Sequence, residues 1–162
     1  MGEVINLVND FKVDNVIFNC GEYNDLENEL INVLDKKHIE YYSCMNDNSS
    51  VIYLNYNNYK FLFMGDASTI REKDILEKYN LNNIDVLKIG HHGSKTSSSK
   101  TFIDKISPKY SIISVGKNNR YGHPNDSVLN NLEDSKIFRT DQDGSVMFKI
   151  KNNKLQIATC PP

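Results

Sequence analysis

Two adjacent histidines, His91 and His92, end a short apolar run in "DVLKIGHHGSKTSSS", residues 85 to 99. A neutral imidazole is a common ligand of a catalytic divalent ion. Successive side chains on a strand point to opposite faces, so both histidines face one site only if the chain turns there, and Gly93 supplies a turn. For these two residues taken alone, a solvent-facing pair at a strand end is the favoured interpretation.

A carboxylate occupies a comparable place in "FLFMGDAS", where Asp66 follows an apolar run that ends at Gly65. A carboxylate so placed can ligate one metal ion or bridge two. Asp is also a favoured helix N-cap, and a helix is predicted from Ser68 onward. Taken alone, Asp66 is better explained as a cap, but in combination with the histidines the metal-ligand interpretation is favoured.

A third polar loop, "SVGKNNRYGHPND", is dense in hydrogen-bond donors. Such donors can hold phosphate oxygens or polarise a leaving group. A solvated loop is the ordinary alternative. The donors in this loop are Lys117, Asn118, Asn119, Arg120 and His123.

The elements that must position these loops alternate between helical and strand periodicity, which predicts an α/β fold. The hairpin within residues 50–66 is predicted to turn at Asn57 and Asn58. Because polar loops follow apolar strands, we expect Asp66, His92 and Gly116 to converge at one sheet edge. Helices are predicted over residues 3–11, 24–37, 68–79, 98–106 and 125–134, and further strands over 15–20, 39–44, 85–90, 110–116, 136–140, 145–150 and 155–159.

Composition narrows the class of protein. A chain of 162 residues is long enough for one domain, and its net charge of −2 excludes a global basic field, so polyanion binding needs a local patch. No apolar run approaches the ~18 residues of a membrane span and no signal peptide is evident, so the chain is expected to be soluble. The 3 cysteines are far apart, which argues against a disulfide framework or a cysteine zinc site. The basic residues near the polar loops are Lys88, Lys95, Lys100, Lys117 and Arg120.

Four segments in this order, "FLFMGDAS", "DVLKIGHHGSKTSSS", "PKYSIISVGKNNRYGHP" and "FRTDQDGS", resemble the second half of the metallo-β-lactamase-like domain of the ComEC competence family and its stand-alone relatives. The resemblance covers residues 46–148. It implies an αββα sandwich with a metal site at one edge of two sheets. Residues 1–162 are then a single, partial domain that lacks its amino-terminal part.

The resemblance also implies roles for individual residues. Asp66 falls on the family's metal-bridging aspartate, and the "GHHGS" pair contains its last histidine ligand, with His92 as the first choice and His91 as a neighbour facing substrate. His123 lies on a late site-facing loop. The segment of Asn48 and Ser49 approaches the metals. Candidate oxyanion or phosphate holders are Lys95, Thr96, Asn118 and Arg120.

One departure from the family is large. The His-x-His-x-Asp-His loop that supplies most of the ligands does not occur in the sequence, and His38 is isolated. A catalytic zinc needs about three protein ligands, whereas Asp66 with one histidine offers two. The sequence therefore predicts a truncated, shortened or degenerate member that is inactive by itself.

The function implied for the full family is metal-dependent hydrolysis by a zinc or manganese two-ion site, of phosphodiesterase or nuclease type and linked to DNA uptake. The expected partner is DNA or another phosphodiester, without membrane contact. A catalytically incomplete scaffold or binding module is the alternative, and an antibiotic-directed β-lactamase is disfavoured because serine and lysine follow "HHG".

Two further expectations follow from a partial domain. A homo-dimer through an uncovered sheet edge is expected, because unpaired strand edges invite pairing. The location is cytoplasmic for a stand-alone protein and extracellular for part of a membrane competence protein.

Overall fold

Helices and strands alternate along the chain much as the periodicity predicts. The computed structural model describes residues 5, 9, 15–18, 25–43 and 49–161. The strands are β1 (Asn15–Phe18), β2 (Glu40–Ser43), β3 (Ile52–Tyr56), β4 (Tyr59–Phe63), β5 (Val86–Lys88), β6 (Tyr110–Ile113), β7 (Lys136–Arg139), β8 (Ser145–Lys151) and β9 (Lys154–Cys160). The helices are α1 (Asp25–Lys36), α2 (Thr69–Lys78), α3 (Lys100–Ile106), α4 (Asp126–Asn131) and α5 (Thr140–Asp143).

Five strands form the main sheet in the order β3-β4-β5-β6-β7. Strands β3 and β4 are antiparallel, and β4 to β7 run parallel. The predicted hairpin turn is present, with φ of 50° at Asn57 and 65° at Asn58, left-handed values that a two-residue turn of this kind requires and that asparagine tolerates. Strands β1 and β2 pair in parallel, and β8 and β9 form a second hairpin.

One face of the main sheet packs against helices α2, α3 and α4. Leu62, Leu87 and Ile113, from three neighbouring strands, are fully buried in this core. Ile75 of α2 and Phe102 of α3 meet them. Each such side chain stabilises the fold by roughly 1.5–3 kcal/mol through removal of its apolar surface from water.

The opposite face carries a second cluster. Leu54 of β3 and Phe61 of β4 pack against Leu30 and Leu34 of α1, both of which are fully buried. Of the predicted helix over residues 3–11, Ile5 and Asn9 are described and helical, and the rest lies outside the described residues. Helices therefore cover both faces of the main sheet.

The β8–β9 hairpin lies on the same face as α1. Its Phe148 contacts the rings of Tyr110 and Phe138 at centroid distances of 6.2 and 6.4 Å. At the hairpin tip, the Tyr59 hydroxyl donates to the carbonyl of Asn153 at 3.2 Å. A second layer of strands thus packs on the main sheet, and the predicted α/β sandwich class is confirmed.

Helix α5 is not among the predicted elements. A strand was predicted through residue 140, but β7 ends at Arg139 and helix α5 follows. The Arg139 backbone N–H donates to Oδ2 of Asp143 at 2.7 Å, and its guanidinium pairs with Asp141 at 2.6 Å. The hydrogen bond from Arg139 lowers the pKa of Asp141. These side-chain contacts bend the backbone out of the strand.

Some expectations are not decided by the described residues. Within that part of the chain, no helix is long and apolar enough to cross a membrane. Cys160 is exposed and free, while Cys20 and Cys44 lie outside the described residues. Pairing of two copies through an uncovered edge stays a prediction.

A buried carboxylate ties the loop after β5 to helix α2. Glu72 is 1% exposed, and its Oε1 accepts a short hydrogen bond from the Ser98 backbone N–H. Its Oε2 accepts from the backbone N–H of Ser99 at 2.9 Å and from the Ser99 hydroxyl at 2.7 Å. Burial raises the pKa of Glu72, and the hydrogen bonds from Ser99 and Ser98 oppose that rise.

We expect Glu72→Ala to lower the free energy of unfolding by about 2–4 kcal/mol, because the buried N–H of Ser98 and the half-buried N–H of Ser99 lose their acceptor. The raised pKa means that the folded state holds this proton more tightly than the unfolded state. The contribution of Glu72 to stability therefore falls as the pH rises above the ordinary value of 4.5 and through the folded-state pKa.

Urea unfolding followed by far-UV circular dichroism between pH 4 and 7 checks both statements. Glu72→Gln removes the ionisable group and should flatten that part of the pH profile. The exposed Glu77→Gln on the same helix is the matched control and should leave the profile unchanged. Identical profiles for the native chain and Glu72→Gln would contradict the assignment.

Candidate metal centre

Three loops meet at the carboxyl edge of β4, β5 and β6, where parallel strands bring their ends together. The His91 backbone N–H donates to the Gly65 carbonyl at 2.9 Å, which joins the loop after β5 to the loop after β4. Nδ1 of His92 lies 2.7 Å from the carbonyl oxygen of Ser114, which joins it to the loop after β6. Residues far apart in sequence therefore share one edge.

Asp66 projects from the first of these loops and is exposed. Its backbone N–H donates to the hydroxyl of buried Ser49, whereas Asn48 lies outside the described residues. Ser68, not Asp66, occupies the N-cap position of α2. The alternative explanation of Asp66 as the helix cap is therefore wrong, and its carboxylate is left for another role.

The half-buried Lys88 interacts electrostatically with Asp66. Burial lowers the pKa of Lys88, and the negative charge of Asp66 partly opposes this. The Lys88 ammonium donates to the carbonyl of Ile89 at 3.2 Å. In the sequence, Lys88 counts only as a member of a basic patch. It does, however, interrupt the apolar run of "DVLKIG", and this position inside a strand indicates a lysine that is partly buried.

The two histidines lie in a short 3₁₀ turn, Gly90–Gly93, that begins directly after the strand. Both have left-handed backbone angles, φ 45° at His91 and φ 56° at His92. The turn is therefore made by the histidines themselves as well as by Gly93. Both side chains are exposed, and their ring centroids are 6.5 Å apart.

The contact with Ser114 decides the tautomer of neutral His92. A carbonyl oxygen only accepts, so Nδ1 must carry the proton and donate it. In the neutral ring, Nε2 then keeps its lone pair, and this is the arrangement of a metal-binding imidazole held by an outer acceptor. The geometry favours His92 over His91 as the ligand.

The loop after β6 is closed by Asn119, which the sequence analysis names among the donors of this loop but to which it assigns no substrate-holding role. The side chain of Asn119 donates to the His123 carbonyl at 2.8 Å and accepts from the His123 backbone N–H at 2.8 Å. The His123 ring then stands 6.1 Å from that of His91. Asparagine side chains often bond nearby backbone groups in turns, so the position of Asn119 in a turn-rich segment is the feature of the sequence that indicates this role.

A cavity of about 430 Å³ opens between these loops. Lys95 and Asn118, predicted to hold substrate, are exposed and do not belong to its lining, and their roles stay predictions. Thr140 had no predicted role; its hydroxyl donates to the Val115 carbonyl at 2.8 Å. The side chains in the lining include His92, Ser114, Asn119, Tyr121, His123 and Thr140.

The donors present fit a divalent ion only in part. Carboxylate and imidazole are suitable ligands for zinc or manganese, and Asp66 and His92 supply one of each. Among the described residues, however, no group of three or more His, Cys, Asp or Glu side chains is placed to hold an ion. The described residues therefore do not complete a catalytic metal site.

Comparison with protein families agrees with this architecture. The model of the metallo-beta-lactamase superfamily matches residues 22–117, more than half of the chain. The chain belongs to the metallo-β-lactamase superfamily. The superfamily match ends just beyond β6 and includes Asp66, His91 and His92.

The chain is also similar to curated competence and recombination proteins. The chain is 37% identical to ComE operon protein 3 of Bacillus subtilis over 119 residues, which are 72% of the chain and 15% of that protein. It is 41% identical to competence protein ComA of Neisseria gonorrhoeae over 90 residues, 54% of the chain and 13% of that protein. It is 34% identical to recombination protein 2 of Haemophilus influenzae over 114 residues, 69% of the chain and 14% of that protein.

The chain thus spans about one seventh of the length of the curated relatives that it matches. The family predicted from the four motifs is confirmed, both for the superfamily and for its competence branch.

Gly93 controls how the "YGHP" loop docks on the histidine turn. Its φ is +81°, and a Cβ there would lie 2.6 Å from the Cβ of Pro124. The Gly93 carbonyl also accepts from the Asn125 backbone N–H at 2.8 Å. Gly122 has a similar φ of +66°, but a Cβ there meets no atom within 4 Å.

We expect Gly93→Ala to cost about 1–3 kcal/mol more of unfolding free energy than Gly122→Ala. Both variants bear the strain of a left-handed alanine, but only Gly93→Ala forces the two loops apart. Urea denaturation of the two variants measures the difference. Equal losses of stability would show that the loops do not depend on this contact.

Proposed function

We propose that this chain supplies part of a metal-dependent phosphodiesterase or nuclease that acts on DNA during uptake, and that the first metal-binding motif is absent from it. The observation that carries the proposal is the hydrogen bond that joins the loops of Asp66 and His92 at one sheet edge, with the His92 Nε2 lone pair left available. The similarity to competence proteins supports DNA as the phosphodiester.

Each residue of the candidate site would have a role that follows from its side-chain chemistry. Asp66 and His92 would hold the ion, which would supply activation of a water molecule and neutralisation of phosphate charge. His123, whose ring is next to that of His91, would exchange a proton with the leaving group. The exposed cations of Lys95 and Lys117 can attract a polyanion despite a net charge of −2.

The ligand count predicts weak metal binding. Each ligand contributes only when it is deprotonated and already in position, and the described residues offer two where a catalytic zinc takes about three. The same observation favours the second candidate function, a scaffold or binding module of the superfamily that has no catalytic activity.

Titration calorimetry with Zn²⁺ and Mn²⁺ tests the metal centre. We expect weak binding by the native chain, and Asp66→Asn or His92→Ala should weaken it by at least tenfold, because even an outer partner of a ligand contributes roughly 10- to 100-fold. His38→Ala, which removes an exposed histidine on a different part of the chain, is the control. Tight binding, or binding indifferent to both site variants, would contradict the ligand assignment.

Hydrolysis of a labelled DNA oligonucleotide separates the two candidate functions. The 162-residue chain should be inactive, and a version extended by a His-x-His-x-Asp-His segment should cleave in the presence of metal. Asp66→Asn in the extended protein should abolish cleavage. An extended protein that binds metal tightly yet leaves DNA intact would favour the scaffold.

A further inference from the structure

An exposed aromatic ring stands beside the candidate metal centre. Tyr121 is 68% exposed, although aromatic side chains are usually well buried. It lines the same cavity as His92 and His123. A large ring left in solvent at the rim of this cavity is placed to contact whatever enters it.

Two neighbours hold the ring in position. The His123 ring stacks with it at a centroid distance of 5.9 Å and an interplanar angle of 20°. The guanidinium carbon of Arg120 lies 4.9 Å from the ring centroid, and its Nη2 donates to the Tyr121 hydroxyl at 2.7 Å. A ring already held in this way loses little conformational freedom when a ligand stacks on it.

Backbone hydrogen bonds also hold the His123 ring that stacks on Tyr121. The Asn119 amide bonds both the N–H and the carbonyl of His123, and so determines where the His123 ring stands. That ring lies next to His91 of the histidine turn. The stack is therefore anchored to the same loops that carry the candidate metal ligands.

We infer that Tyr121 is a stacking contact for a nucleobase of the polynucleotide whose phosphodiester is presented to the Asp66–His92 edge. The inference rests on the proposed function and adds a residue that distinguishes polynucleotides from phosphodiesters without bases. Every base offers a π-face, so such a contact tolerates any sequence. The guanidinium of Arg120 beside the ring favours a ligand that combines a flat ring with negative charge.

Fluorescence anisotropy at low salt tests the inference on the 162-residue chain. The probes are a labelled oligothymidylate and an oligomer of equal length in which every site is abasic, so that the two carry the same phosphates. The native chain should prefer oligothymidylate, and Tyr121→Ala should weaken that binding by about tenfold while leaving abasic binding unchanged. Tyr121→Phe keeps the ring and should keep most of the preference.

Met147→Ala is the matched control, since Met147 is a large exposed side chain on β8. The chain contains no tryptophan, so Tyr121→Trp introduces a single reporter at the site. Its emission should be quenched by oligothymidylate and not by the abasic oligomer. Circular dichroism of each variant establishes that the fold is retained.

The outcomes separate this inference from the function on which it rests. Equal binding of both oligomers by the native chain, or equal weakening of both by Tyr121→Ala, would overturn the stacking contact and leave phosphodiester recognition standing. Failure of the native chain to bind either oligomer would overturn both.

Discussion

The hydrogen bond from the His91 backbone N–H to the Gly65 carbonyl joins the two loops that carry the candidate ligands. Parallel pairing of β4 with β5 brings the ends of these strands to one edge, and this bond closes the remaining gap between them. The Ser49 hydroxyl holds the Asp66 N–H from another direction. Asp66 is thus positioned by its backbone, which leaves its carboxylate exposed.

Strain in the histidine turn is offset by contacts on its other side. Two consecutive non-glycine residues in left-handed conformation cost about 1–2 kcal/mol each. The hydrogen bond of His92 to Ser114 and the close fit of Gly93 against Pro124 stabilise the turn in this form. Backbone outliers held by their surroundings cluster at functional sites, which agrees with a role for both imidazoles.

Charge at this edge is local. The net charge of −2 provides no overall attraction for a polyanion, so any such attraction would come from local cations. Lys88 is half-buried and its partial burial lowers its pKa, whereas Lys95, Lys117 and Arg120 are exposed. The exposed cations face solvent, where a large ligand would approach.

Local patterns were enough to predict most helices and strands, the turn at Asn57 and Asn58, and the three polar loops after strands. Side-chain alternation and turn preferences depend on a few neighbouring residues, so both can be recognised in the sequence. The family followed from the same loops, because their order along the chain is itself distinctive.

Individual side-chain contacts, both within loops and between distant residues, could not be predicted in this way. That Asn119 and not Asn118 closes the "YGHP" loop depends on where the His123 backbone lies, and helix α5 depends on the bonds of Arg139 to Asp141 and Asp143. The His92 tautomer depends on a carbonyl 22 residues away. Strand pairing in three dimensions brings that carbonyl to the ring, and no local periodicity encodes the distance between them.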